Sequence, residues 1–269
     1  MNREALIIKA CEVNNIIKNK KIEINGNVMD ISNCLNRDNE ISVEYRENDI
    51  GKIKINQFPR MSKMCDLVVM DCDSPDAYDT KFENTTLLNF ASSKNPGGGF
   101  LRGAMAQEES LCQRSNLHSI LDKHKDFYNY NRAHLNNALY TDGVIYSSNV
   151  CFFRDKDLKN CSPVNINVIT SAAPNRGAAR RQRVPVEAIQ YTMTRRLEEI
   201  LRVAINHGTE HLILGAFGCG VFHNKPEEVA QDLYGLIISK GYGLYFKQIT
   251  FAMHDSTSKN SKVFHKVFD

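Results

Sequence analysis

Residues 86–111 read Thr-Leu-Leu-Asn-Phe-Ala-Ser-Ser-Lys-Asn-Pro-Gly-Gly-Gly-Phe-Leu-Arg-Gly-Ala-Met-Ala-Gln-Glu-Glu-Ser-Leu. The apolar run Leu87, Leu88, Phe90 is short and bounded by polar residues, as a strand covered on both faces is. It leads into a glycine triplet, Gly97-Gly98-Gly99, and after seven further residues into Gln107-Glu108-Glu109. Glycines without a Cβ let backbone N–H groups approach a phosphate. Neighbouring carboxylates supply acid/base chemistry at a sugar bonded to that phosphate. A surface turn uses glycines just as freely, and that reading stands beside the first. The strand before and the helix after leave little room for a flexible linker, so the stretch implies hydrolysis at a ribose carried on a pyrophosphate.

The spacing predicts a helix over 105–123. With a start near Gly103, Met105, Glu109 and Cys112 fall at i, i+4 and i+7 on one line. Glu109 then shares an apolar line, where desolvation raises a carboxyl pKa as a general acid requires. The alternative is an acidic pair drawn to a helix N-terminus by the macrodipole. Spacing alone does not separate the two.

Outward from this stretch, short apolar runs at 66–72, 86–91, 164–170, 212–217 and 248–254 read as buried strands. Helix patterns lie between them at 185–207 and 226–240, the latter with Pro226 in its first turn and Gly241 beyond its end. Strands alternating with helices give an α/β domain around a mixed sheet. Before it, 3–19 reads as a helix, Gly26 to about Asn48 as turns, with a short strand at 41–45. Residues 1–60 form an N-terminal accessory segment packed on a core of 61–269, one globular unit overall, since no Pro/Gly/Ser linker separates them. A second glycine-bearing loop, 215–222 (Gly-Ala-Phe-Gly-Cys-Gly-Val-Phe), follows the run at 212. Ligands of open α/β sheets sit beyond such strand ends, and two loops there can clamp one diphosphate. Neither loop fits the dinucleotide or Walker patterns.

Composition narrows the classes. The balance of 34 basic against 31 acidic residues gives +3, too little to imply a polyelectrolyte partner, although Arg176, Arg180, Arg181 and Arg183 are candidates for a local basic patch. No apolar run approaches the roughly 18 residues of a membrane helix, and the first residues lack a secretory pattern. The expectation is a cytoplasmic monomer with no membrane partner. The 8 cysteines are scattered without Cys-x-x-Cys pairs, which argues against zinc and, in that compartment, against disulfides. Cys219, between two glycines, reads as a small loop residue or as a nucleophile.

The pattern Asn-Phe-Ala-Ser-x-x-Asn-Pro-Gly-Gly-Gly-Phe (89–100), followed by Gln-Glu-Glu-Ser-Leu-x-x-Arg-Ser (107–115), resembles the signature of bacterial-type poly(ADP-ribose) glycohydrolases. Residues 169–175 (Ile-Thr-Ser-Ala-Ala-Pro-Asn) and 214–222 resemble that family in order and spacing, and the likeness covers nearly the whole chain. It implies a macrodomain-like three-layer α/β/α fold with a mixed central sheet and an N-terminal helical extension. It also implies cleavage of ribose–ribose O-glycosidic bonds, with no cofactor or metal.

Carried onto matching positions, the resemblance makes Glu109 the acid that protonates the leaving oxygen and then activates water. Glu108 holds ribose hydroxyls, and Gln107 belongs to the substrate-binding set. N–H groups of Gly97, Gly98 and Gly99 and of Gly218, Cys219, Gly220, Val221 and Phe222 bind the diphosphate. Phe222 packs on the adenosine; anchoring its loop to the core is the alternative. The wider macrodomain superfamily has a second asparagine where this chain has Ser92, as the bacterial glycohydrolases do, and Asn95 is the candidate for that ribose contact. Asp73 is either an acceptor for the adenine amino group or a turn residue. His223 reads as a solvated rim residue. The partner implied is an ADP-ribose polymer or an ADP-ribosylated macromolecule. Removal of single ADP-ribose units is the alternative activity, and a non-catalytic ADP-ribose reader a third reading, disfavoured by the retained Gln107-Glu108-Glu109.

Overall fold

A computed structural model describes residues 1–35 and 42–269. Its elements, in chain order, begin with helix α1 (Arg3–Asn19), hairpin strands β1 (Lys21–Ile24) and β2 (Asn27–Asp30), and α2 (Ser32–Leu35). Next come β3 (Ser42–Tyr45), α3 (Glu47–Ile50), β4 (Asp66–Met70), β5 (Thr85–Phe90), α4 (Gln107–Arg114), α5 (Leu117–Leu121) and α6 (Lys125–Ala133). The second half holds β6 (Val144–Arg154), β7 (Asn160–Ser171), α7 (Arg176–Arg181), α8 (Val186–Asn206) and β8 (His211–Leu214). The chain closes with α9 (Pro226–Tyr234), β9 (Gln248–Ala252) and α10 (Lys259–Phe268).

Seven strands form one mixed sheet in the order β3-β6-β7-β5-β8-β9-β4. From β7 to β4 every pairing is parallel, and β6 joins β7 and β3 antiparallel. Alternate residues of each strand feed opposite layers, as the pleat requires. Leu88, Leu212 and Leu214 pack with α8, α9 and α10. Leu87 and Ile213 pack on the other face with α1, α4, α5 and α6. This is the expected three-layer α/β/α arrangement, with the central β5 delivering the glycine loop at its carboxyl end. No helix among the described residues is long and apolar enough to cross a membrane.

Several expectations need correction. The helix over 105–123 is two helices. Ser115 is extended and its Oγ donates back to Leu111 O, and Asn116 closes on Cys151 through both its backbone and its Oδ1. Pairing with β6 thus wins over helical continuation. Strand β6 itself was missed, because Ser147-Ser148-Asn149 interrupts its apolar pattern at a register shift where Asn149 takes φ +53°. From Gly26 onward, where turns were expected, β2 pairs back on β1 through an Asn25-Gly26 tip, and α2 and the start of α3 fall in the same stretch. Of the strand read at 41–45, Ile41 falls outside the described residues. Strand β3 joins the central sheet at its edge, beside β6. The cysteines are not all free: Cys34 and Cys151 form a disulfide linking α2 to β6, a pairing that a separation of 117 residues hides from any spacing rule.

Candidate active site

The Gln107-Glu108-Glu109 turn opens α4 directly beneath the end of β5. Gln107 continues the sheet: its Oε1 accepts Phe90 N–H at 2.8 Å and its Nε2 donates to Leu88 O at 2.9 Å. Gln107 also lines the cavity beside it, and its amide positions the helix on the strand. That pins Glu108 and Glu109 at the strand end, both buried. Glu108 Oε2 accepts Ser92 N–H at 2.7 Å, and its Oε1 lies 3.3 Å from Asn89 Nδ2. Glu109 Oε1 accepts Gly99 N–H at 2.8 Å, and Oε2 accepts Ala106 N–H at 2.9 Å. The second bond also caps the helix from its third residue. Met105 precedes the helix and is exposed, so the apolar line drawn through it does not exist.

The glycine triplet has a different purpose from the one expected. Gly98 N–H donates to Asn95 O and Gly99 N–H to Glu109, so these two N–H groups are turned to protein acceptors and not to a diphosphate. None of the three glycines lines the cavity. Gly97 has φ +64° and Gly98 φ +58°. A Cβ on Gly98 would stand 2.5 Å from Glu109 Oε1 and 3.0 Å from Glu108 Oε2, and one on Gly97 would stand 2.8 Å from the His118 ring. Glycines are required here because two carboxylates and an imidazole press against the loop.

Burial pushes the Glu108 carboxyl up to about 8, with the neighbouring Glu109 adding to the rise and the Ser92 and Asn89 bonds opposing it. Glu108 is thus a raised acid directly beside the residue for which the sequence pattern anticipated one. Asn89 Oδ1 has no hydrogen-bond partner among the described residues. A half-turn of its amide would present that oxygen to a protonated Glu108, which fits a neutral carboxyl.

Both glutamates line a cavity of about 240 Å³ with Ser92, Ala173, Gly218, Gly220, Val221 and Phe222. A larger one of about 430 Å³ adjoins it, sharing Phe90, Ala106, Gln107 and Gly220, and reaches Asp73 and His254. Together they make one trough across the strand ends. Asp73 is bound by His254 Nδ1 and faces Arg114 at 3.7 Å. Phe222 and Asp73, both assigned to the adenosine, therefore lie on different cavities. The Phe222 ring also meets Tyr140 at 6.0 Å between centroids. Asn95 lines neither cavity, whereas Ser92 lines the smaller.

The second loop keeps the free donors. Cys219 N–H donates to Ala216 O and His223 N–H to Gly220 O. The N–H groups of Gly220, Val221 and Phe222 make no hydrogen bond among the described residues. The buried Asn224 holds the loop, with Nδ2 donating to Pro174 O at 2.8 Å and Gly218 O at 3.0 Å. Cys219 does not line the cavity, and burial pushes its thiol up to about 12, so it is a packing residue and not a nucleophile. His223 is exposed, as expected of a rim residue.

Sequence reasoning missed Asn89, His118 and Asn224. Asn89 had a signal: an amide inside the apolar run Leu87–Phe90 must find partners. The others had none, since their roles depend on contacts distant in sequence.

Comparison with known proteins agrees with this geometry. A family model described as microbial-type PARG, catalytic domain, matches residues 10–155. The solved poly(ADP-ribose) glycohydrolase of Thermomonospora curvata is 30% identical, with 99% of this chain and 100% of that one covered and a TM-score of 0.90. The same protein bound to the inhibitor ADP-HPD is matched over 98% and 99% of the two chains at 30% identity, TM-score 0.86. The enzyme of Deinococcus radiodurans in complex with ADP-ribose is 34% identical over 84% and 93% of the two chains, TM-score 0.76. A comparison with curated protein sequences gives no match. With one fold shared from end to end and a family model spanning more than half its residues, the chain belongs to the microbial-type poly(ADP-ribose) glycohydrolases.

Proposed function

We propose that this chain hydrolyses ribose–ribose O-glycosidic bonds of poly(ADP-ribose) and releases ADP-ribose, with Glu109 as acid and then base. The observation that carries the reading is the buried carboxylate pair facing, across one small cavity, a loop with unengaged N–H groups at 220–222. Those N–H groups take the diphosphate. The terminal ribose then lies over Glu108, Glu109 and Ser92 under the Phe222 ring, and the base extends into the larger cavity toward Asp73. Glu109 protonates the leaving oxygen as the C–O bond breaks, and the ribosyl cation forms beside the ligand's diphosphate. Water then adds at the anomeric carbon and returns its proton to Glu109. Glu109 enters the step protonated, and Glu108, its own carboxyl held neutral by burial, keeps its proton throughout and donates it in a hydrogen bond to a ribose hydroxyl.

Residues 1–60 serve the core of 61–269 as an accessory segment, except that β3 is itself an edge strand of the central sheet. Four hydrogen bonds support this for α1. Arg3 Nε donates to Arg102 O at 2.8 Å, Gln113 Nε2 to Leu6 O at 2.9 Å, and the buried Arg154 bonds both Lys9 O and Glu12. Helix α1 thus buttresses the glycine loop and α4.

The test is Glu109→Gln, which preserves shape and removes the titratable group. Binding of ADP-ribose by calorimetry is retained and turnover of purified polymer is lost. Undiminished polymer turnover in that variant overturns the assignment, and a rate on polymer no better than on mono-ADP-ribosylated protein transfers the activity to single units.

A further inference from the structure

The segment from Arg176 to Arg195 carries five arginines against one acidic residue, Glu187. Two of the five are committed: Arg176 is buried and pairs with Glu228 at 2.6 Å, and Arg195 pairs with Asp142. The basic patch anticipated from the sequence therefore loses Arg176. Arg180, Arg181 and Arg183 are exposed and form no ion pair among the described residues. On the next helix, α8, Tyr191 is 67% exposed, with the Arg195 guanidinium 5.5 Å from its ring centre. Exposed guanidinium groups and an exposed aromatic ring on successive helices suit a chain of phosphates and bases.

The position of this surface connects it to the trough. Gly177 N–H donates to Phe222 O at 3.1 Å, so α7 is fastened to the loop that lines the small cavity. The end of α7 adds a second, independent observation. Val184 N–H donates to Ala179 O and Arg183 N–H to Arg180 O, the pattern that closes a helix through a left-handed residue, usually glycine. Here that residue is Arg183, at φ +61°. Arginine thus stands where glycine is the usual residue, and its side chain is exposed.

We infer that Arg180, Arg181 and Arg183 form a secondary binding surface for the length of polymer that runs out of the trough. The inference rests on the polymer substrate proposed above and adds the surface that distinguishes polymer from a single unit. Each polymer unit carries a diphosphate, and the three guanidinium groups meet those charges while Tyr191 offers a face for an adenine.

The test compares the chain with R180A/R181A and R183G, each also carrying Glu109→Gln so that polymer survives the measurement. Free ADP-ribose is followed by calorimetry and a labelled long polymer by anisotropy over a salt series. ADP-ribose affinity stays unchanged. Polymer affinity falls about tenfold in R180A/R181A near physiological salt, and the slope of log affinity against log salt drops by about 0.7 for each arginine lost. R183G weakens polymer binding yet raises the melting temperature, because glycine is at ease in that backbone conformation; a merely structural arginine would not separate the two. Unchanged polymer affinity in both variants, or a parallel loss for ADP-ribose, overturns the inference. So does an equal loss on single-stranded DNA, which assigns the surface to nucleic acid. Polymer turnover with Glu109 intact reports the proposed function separately: no turnover beside arginine-dependent polymer binding sinks the catalysis and leaves the surface standing.

Discussion

A single methyl group added at Gly98 would meet Glu109 Oε1 at 2.5 Å. Gly98→Ala must therefore push the carboxylate away or unseat the loop, in addition to straining a backbone at φ +58°. If Glu109 is the acid proposed above, a displacement of that size costs about 10²-fold in rate. We expect kcat on polymer to fall by that order while ADP-ribose affinity changes far less, as initial rates and calorimetry would show. Glu108 sets the pH behaviour. Its carboxyl rises from 4.5 to about 8 on folding. Below about pH 4.5 it is protonated in both states. Between there and about 8 the unfolded chain releases a proton that the folded chain retains, so stability declines as pH rises through that window and levels off above it. Denaturant titrations across the window should show that decline, and Glu108→Gln should flatten it. Turnover should fall above about pH 8, where Glu108 loses the proton with which it holds the ribose hydroxyl.

At the level of elements, the loop after β8 is held by one side chain. Asn224 donates to two carbonyls that bracket it, and Asn224→Ala would leave Pro174 O and Gly218 O without that donor. The expected loss is about 1–3 kcal/mol of stability, read from chemical denaturation. Weaker ADP-ribose binding should accompany it, since the unengaged N–H groups at 220–222 lose their fixed direction. Helix α4 shows the opposite economy of placement. Its first turn carries the acids, Gln107 fastens it to β5, and Arg114 at its far end pairs with Asp76 and faces Asp73 at 3.7 Å. One short helix thus touches both cavities. Its early end at Ser115 follows from the pairing of Ser115 and Asn116 with β6.

Across the molecule, two helical layers enclose the sheet, and the Cys34–Cys151 disulfide ties the N-terminal segment to β6. It closes a loop of 117 residues, for which chain entropy alone gives about 4–5 kcal/mol. Cys34→Ser should lower the melting temperature of oxidised protein and leave that of reduced protein nearly unchanged, as calorimetry with and without reductant would reveal.

The strands at 86–91, 212–217 and 248–254 were legible because each is a short apolar run bounded by polar or glycine residues, and the acidic pair was legible because Gln107-Glu108-Glu109 follows the triplet at close range. Strand β6 was not, since a polar trio at its bulge breaks the alternation that a local reading depends on. The order of residues by itself determined an α/β chain with two glycine-bearing loops and a pair of acids between them. Only the tertiary structure decided which loop has N–H groups to spare, that both acids are buried, and which arginines near α7 form no ion pair among the described residues. Hydrogen-bond partners and burial are set by residues far apart in the chain, and no local pattern encodes them.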